Sequence, residues 1–361
     1  MKKVLMITDV RFWELCSGNR VRIAQLISYI SKIVDLTVAF TGPTPYNINI
    51  YLKNTYGISF YALEPLKVLN PEEYQNKFSQ FLLGKHFDHI VVEYLHNSYL
   101  LECLPEHWKG SIFLDAHDII SDRQASFLKF GFNDNMFTVN AEDELNIFAA
   151  YDKVILLTTT DFNKIGSLIG KNKVLLCPHA PTTHPHLVRP SVKNIVFVAS
   201  SYLPNVYAIN NFIHDCWPSL LAIYDQLNLL IYGTVCDFIN DHGLKRIDIK
   251  GFCPNLPDIY KTADIVINPV SFGAGAKIKN IEALGYGVPL VTSSHGASGI
   301  ESQAALSFVL ADTAELVIKA ISTLIENYDF RKTLSKNAYQ FVKNEFSADN
   351  CFRSLKKALL R

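Results

Sequence analysis

Apolar residues fall along this chain in short runs of strand length, separated by stretches with helical spacing. Val4–Ile7 is the first such run, and Gly18–Ile33 repeats apolar residues at helical intervals. Leu36–Phe40, Ile90–Glu93, Ile112–Asp115 and Val154–Thr158 extend the strand series, with Glu72–Leu83 and Asn140–Tyr151 as helices. Apolar strands alternating with helices predict a parallel sheet covered on both faces. Cys177–Pro190 breaks the pattern with four prolines (Pro178, Pro181, Pro185, Pro190) and three histidines (His179, His184, His186). It reads as an interdomain linker, a flexible hinge with exposed histidines that lack a zinc spacing. The pattern restarts at Asn194–Ala199 and continues through strands at Leu227–Tyr232, Ile247–Lys250, Ile265–Asn268, Pro289–Thr292 and Ser307–Leu310. Helices are expected at Asn205–Cys216, Leu256–Lys261, Ile278–Tyr286, Thr313–Glu326 and Phe330–Asn344, and a basic one at Ala348–Arg361. The fold class is therefore α/β, with two doubly wound units in series. Ligands bind such sheets beyond the carboxyl ends of the strands, which favours a site in the cleft between two units.

Composition narrows the partners. At 361 residues the chain suits two domains. Its 34 basic and 34 acidic residues balance, which argues against nucleic acid. Seven scattered cysteines without C-x-x-C spacing suit reduced thiols in a cytosolic protein. The opening Met1-Lys2-Lys3 leads into a strand rather than a signal peptide, and no apolar run is long enough to span a membrane. A cytoplasmic protein is expected.

The segment Ile265–Gly296 carries the strongest chemical signal. It reads as a strand, a glycine-rich turn at Gly273-Ala274-Gly275-Ala276, a helix with Lys277 and Glu282 five apart, and a second strand. A glycine turn opening a helix exposes backbone N–H groups, a ready anion site. A lysine at the helix start opposes the helix dipole, so its presence points to a visiting anion such as phosphate. An acid a turn and a half further on suits ribose hydroxyls. The turns Gly251–Pro254 and Thr292–Gly299 also follow strands, so all three should open on one rim.

The run G-A-G-x-K-x-K-x-x-E-A-L-x-x-G-x-P-L-V-T over Gly273–Thr292 resembles the signature of retaining glycosyltransferases with the GT-B fold, the group 1 or family 4 enzymes. The likeness extends through most of residues 190–345 and more loosely to the N-terminal half. It implies two Rossmann-like domains facing across a cleft. Residues 1–177 would be the acceptor side, 178–190 the linker and 191–345 the nucleotide-sugar domain. The segment 346–361 would be a helix crossing back to the first domain.

The same resemblance implies roles. Glu282 matches the second acid of E-x7-E, which binds ribose, and Lys277 a cation near the diphosphate. Gly273, Ala274, Gly275 and Ala276 would hold the sugar or its phosphate, and Gly251, Phe252 and Cys253 the wall of the base pocket. Gly18 sits where the family has a loop near the leaving phosphate, and His117 where a histidine touches the donor sugar. Lys277, His117 and Glu282 are thus the expected catalytic set, with no metal and no cofactor beyond the nucleotide-sugar substrate. There are departures: Ala274 stands where the first acid is usual, and Ala199-Ser200-Ser201 lacks a basic residue, leaving Lys277 and Lys279 to neutralise the diphosphate.

Four other constellations have chemical potential. Asp115-Ala116-His117-Asp118 with Asp122-Arg123 follows a strand, so His117 suits a general base or sugar contact, the alternative being an aspartate cap on the next helix and a histidine that packs. Glu93-Tyr94-Leu95-His96 also follows a strand and could line the acceptor side. Arg20 and Arg22 do not share a helix face, so at least one should be solvated. Arg353, Lys356, Lys357 and Arg361 offer a peripheral contact with anionic lipid. The expectation is a glycosyltransferase acting on a glycan or lipid-linked acceptor in bacterial surface polysaccharide synthesis. A GT-B nucleotide-sugar epimerase and a non-catalytic GT-B partner stay open as alternatives.

Overall fold

The computed structural model describes residues 1–361 except 107, 186, 241, 242 and 244. Two compact units divide it. The first comprises Met1–Glu14, Asn19–Pro178 and Cys351–Arg361, the second Leu15–Gly18 and His179–Asn350.

In the first unit seven strands form one parallel sheet. They are β1 (Lys3–Thr8), β2 (Asp35–Phe40), β3 (Ser59–Ala62), β4 (His89–Glu93), β5 (Ser111–Asp115), β6 (Lys153–Leu156) and β7 (Val174–Leu176), in the order β3-β2-β1-β4-β5-β6-β7. β1 and β4 are buried almost throughout, as a strand covered on both faces must be. Leu5, Ile7, Ile90, Val92 and Leu114 pack against Phe78 and Phe148 from flanking helices. A fully buried side chain of this kind contributes about 1.5–3 kcal/mol. The sequence pattern does not show β3, β7 or the helix Ile48–Tyr56. β3 and β7 are the two sheet edges, and only Leu52 of that helix is buried, so little apolar signal is required of them.

The second unit repeats the plan with six strands: β8 (Asn194–Val198), β9 (Asn228–Tyr232), β10 (Ile247–Gly251), β11 (Ile265–Asn268), β12 (Leu290–Thr292) and β13 (Val309–Leu310), in the order β10-β9-β8-β11-β12-β13, all parallel. Alternate residues of β8 serve opposite faces. Ile195 and Phe197 join a core with Trp217, Ile213 and Ile321, while Val196 joins one with Leu284, Leu290 and Val342. In each sheet the strand order reverses beside a central strand, between β1 and β4 and between β8 and β11. Those reversals open the crevices where doubly wound sheets take ligands.

The chain end is two short helices, Ala348–Cys351 and Arg353–Leu359, rather than one. Ser354 Oγ donates to the Leu176 carbonyl of β7 at 2.8 Å, and Phe352 packs on Tyr29 at 5.2 Å, so Cys351–Arg361 belongs to the first unit. None of the seven cysteines forms a disulfide with another. Among the described residues no helix is long and apolar enough to cross a membrane.

Candidate active site

The second-unit crevice is built on a buried polar lattice. β11 ends at Asn268, whose Nδ2 donates to Asn280 Oδ1 at 2.7 Å. Asn280 in turn donates to the Gly296 carbonyl at 2.7 Å and to Thr292 Oγ1 at 3.1 Å. Thr292 Oγ1 returns a hydrogen bond to the Asn268 carbonyl at 2.9 Å. These bonds tie the β11 turn, the Ile278–Gly285 helix and the β12 turn into one body, while Asn268 Oδ1 stays buried without a partner. Gly296 has to be glycine, because a Cβ there would lie 2.1 Å from Thr292 Oγ1.

On this base sits the glycine turn. Gly273 and Gly275 have φ of 106° and 71°, values an L side chain resists. Lys277 occupies the N-cap position, one residue before the helix. Its Nζ donates to the Gly275 carbonyl at 2.9 Å and the Ala274 carbonyl at 3.3 Å. In a trans peptide the N–H points opposite to the C=O. The N–H groups of Gly275 and Ala276 therefore face away from the ammonium. Those of Ala274, Gly275 and Ala276 make no hydrogen bond among the described residues. Unmade backbone donors at a helix start can receive an anion, here on the face of the turn opposite the resting ammonium.

Glu282 lies deeper in the same helix, 7% exposed. Burial pushes its carboxyl up to about 8. Tyr260 donates its hydroxyl to Oε2 at 3.5 Å, and His179 Nε2 stands 3.8 Å from Oε1. Tyr260 stacks on Tyr286, which stacks on His184. This corrects the expectation of exposed linker histidines. His179 is 1% exposed and His184 packs on an aromatic ring, while His186 lies outside the described residues. The linker runs over an apolar and aromatic floor, which its sequence does not reveal. The raised carboxyl also carries a pH signature. Between the usual 4.5 and about 8 the folded state keeps a proton the unfolded chain has lost. Wild type should thus lose stability relative to Glu282→Gln as pH rises through that window. Paired thermal melts from acid to alkaline pH check it, and parallel curves would refute it.

Lys279 departs from its expected role at the diphosphate. Its Nζ donates to Asn205 Oδ1 at 2.6 Å and lies over the Phe197 ring. Burial and the nearby Lys277 charge push it down to about 7. Gly251 has φ of 70°, Phe252 is half exposed and Cys253 half buried at the end of β10, on the rim shared by β11 and β12. Gly18 belongs to the second unit, where a Cβ would meet Ile278 Cβ at 3.2 Å. Sequence reasoning passed over His295. Its ring N–H donates to the Phe272 carbonyl, and its Nε2 is buried without a partner.

The first-unit crevice holds the His117 segment. Arg22 is wholly buried and donates to Asp115 Oδ2 at 2.5 Å and to the Cys177 carbonyl at 3.4 Å. Asp115 thus pairs with a guanidinium, and the helix Ile120–Lys129 that follows is capped instead by Glu144, whose carboxylate accepts from the N–H groups of Ile120 at 2.6 Å and Ser121 at 2.9 Å. Arg20, half buried, pairs with Glu14. His117 has φ of 62° and stacks on Tyr94 at 4.0 Å, with Nε2 2.7 Å from Glu93 Oε2. Glu93 is buried beneath it rather than lining an open wall. Arg123 is bound by Asp118 at 2.7 Å and Asp134 at 2.6 Å, and Asp122 by Lys164, so these charges hold loops in place.

Twin parallel sheets with these crevices define a GT-B fold, and residues 192–327 match the family model described as "Glycosyl transferases group 1". The match covers the second unit, from just before β8 through the helix Ala314–Glu326. Over its whole length it is 23% identical to an uncharacterized 44.6 kDa protein in the cps region of Klebsiella pneumoniae, covering 99% of this chain and 100% of the relative. Its fold is similar to sucrose-phosphate synthase from Thermosynechococcus elongatus, with a TM-score of 0.76, 14% identity and coverage of 99% and 98%. It is also similar to an S. aureus TarM variant in complex with fondaparinux, alpha-GlcNAc-glycerol and UDP, with a TM-score of 0.78, 10% identity and full coverage of both chains.

Proposed function

We propose that this protein is a retaining glycosyltransferase that takes a nucleotide sugar and extends a glycan or lipid-linked saccharide of a bacterial surface polysaccharide. The observation that carries it is the set of unmade backbone donors over Ala274–Ala276 with Lys277 on the opposite face of the same turn and Glu282 a turn and a half on. Those donors hold the diphosphate, Lys277 joins them by exchanging its carbonyls for phosphate oxygens, and Glu282 accepts from the ribose hydroxyls. Cleaving a sugar–phosphate bond leaves negative charge on the diphosphate. Preorganised amides and a lysine stabilise that charge. The acceptor hydroxyl then attacks C1 from the face the leaving group vacates and passes its proton to the departing phosphate oxygen, so no enzyme nucleophile is required. The group 1 domain and the whole-length relative in a cps region support the reading. The UDP in the TarM complex makes uridine the first base to test.

UDP should raise the melting temperature of wild type, since a ligand that binds only the folded state stabilises by mass action. Glu282→Ala should blunt that shift. A panel of nucleoside diphosphates measures it, and no shift with any base would count against the donor site. Epimerised nucleotide sugar formed without acceptor would favour the epimerase alternative.

A further inference from the structure

The first-unit crevice contains a buried charge imbalance. Arg22, Asp115, Glu93 and His117 come from the helix Gly18–Ile30, from the ends of β4 and β5, and from the turn after β5. Arg22 neutralises Asp115 at 2.5 Å. That leaves Glu93, fully buried, with Oε1 unpartnered and only the His117 ring against Oε2 at 2.7 Å. A buried carboxylate with no compensating charge is costly, and a proton is the smallest compensation. The other groups facing the pair are Asp9 beyond β1, Asp118 and the Tyr94 hydroxyl, and the Cys177 thiol faces Arg22 and Asp115. Burial raises Tyr94 and pushes Cys177 up to about 11, so both stay neutral. Glu93, Asp115 and His117 bring ligand atoms within 4.8 Å of one another. With the guanidinium already on Asp115, the residual charge matches one proton rather than a divalent cation.

We propose that Glu93 is a positioning residue that sets which ring nitrogen of His117 carries the proton, and so sets what the opposite nitrogen offers a ligand. When the pair holds its shared proton, Nε2 is bonded from Glu93 or protonated against it. Nδ1 then carries hydrogen and donates to a sugar or phosphate oxygen. When the pair has released that proton, neutral His117 donates Nε2–H to the Glu93 carboxylate, and Nδ1 becomes an acceptor for a hydroxyl. The left-handed backbone and the stacked Tyr94 ring fix the plane, so proton position alone changes the edge presented. Burial pushes Glu93 up to about 7 and His117 down to about 4, which puts the exchange of tautomers near neutral pH. The proposal deepens the glycosyltransferase reading and rests on it for the ligand that meets Nδ1.

The test is nitrogen NMR of the full chain labelled at histidine, with EDTA present and His117→Asn to assign the signal. The His117 ring should pass from the Nδ1–H to the Nε2–H tautomer through about pH 7 in wild type. In Glu93→Gln, checked for folding by its melting curve, one tautomer should persist across that range. A single wild-type tautomer throughout, or an exchange that survives Glu93→Gln, overturns the proposal. The wild-type titration needs neither variant stability nor substrate, so it stands apart from a failure of UDP to bind. With turnover in hand, the wild-type kcat profile should inflect near the same pH and that of Glu93→Gln should be flat.

Discussion

Lys277→Ala should leave a folded protein that transfers sugar about 100- to 1,000-fold more slowly. Removing one donor that stabilises developing negative charge typically costs about 2.7–4 kcal/mol of transition-state energy. Lys277 rests on two carbonyls of the turn, on the face opposite its free N–H groups, so it serves the diphosphate by exchanging those carbonyls for phosphate oxygens. The loss should fall mainly on kcat, because diphosphate charge grows as the bond breaks. The anchoring bonds make a second outcome readable. If the turn itself rearranges, KM for the donor rises and the UDP melting shift disappears with it. Steady-state kinetics with UDP-sugar, alongside the melting shift, separates these. Unchanged kcat and KM would remove Lys277 from the chemistry.

Arg22→Met should destabilise the first unit by about 3–5 kcal/mol, the usual consequence of stripping one partner from a buried ion pair. Arg22 and Asp115 are both 0% exposed and 2.5 Å apart, so water cannot replace the guanidinium. The Cys177 carbonyl also loses its donor. A domain is typically stable by only about 5–15 kcal/mol, so the urea midpoint should fall clearly. Arg22→Met with Asp115→Leu should recover much of the loss, because an apolar pair of similar volume is often tolerated. A loss below about 1 kcal/mol in the single variant would mean the pair behaves like a surface bridge.

Much of this was legible in the order of residues. Strand and helix periods marked the central elements of both sheets, because those bury two faces and need continuous apolar runs. Glycines at 273 and 275 were legible because left-handed backbone demands them. Edge strands β3 and β7 were not, since one side faces no strand and their composition is free to vary.

Arg22 shows the limit most clearly. Two residues after Arg20 it reads as one of a pair of which at least one is solvated, yet it is wholly buried and bound to a carboxylate 93 residues away. His179 reads as an exposed linker residue and is instead packed near Glu282. Lys279 reads as a second phosphate ligand and is instead held by Asn205.

By itself the sequence determined the alternation of strands and helices, the glycine turn, and the five-residue spacing of Lys277 and Glu282, because local spacing and backbone sterics act within a few residues. Tertiary structure alone decided which charges are buried, which are paired and where protons reside. Those depend on partners brought together by the sheet from tens to more than a hundred residues away, in surroundings too dry for water to compensate.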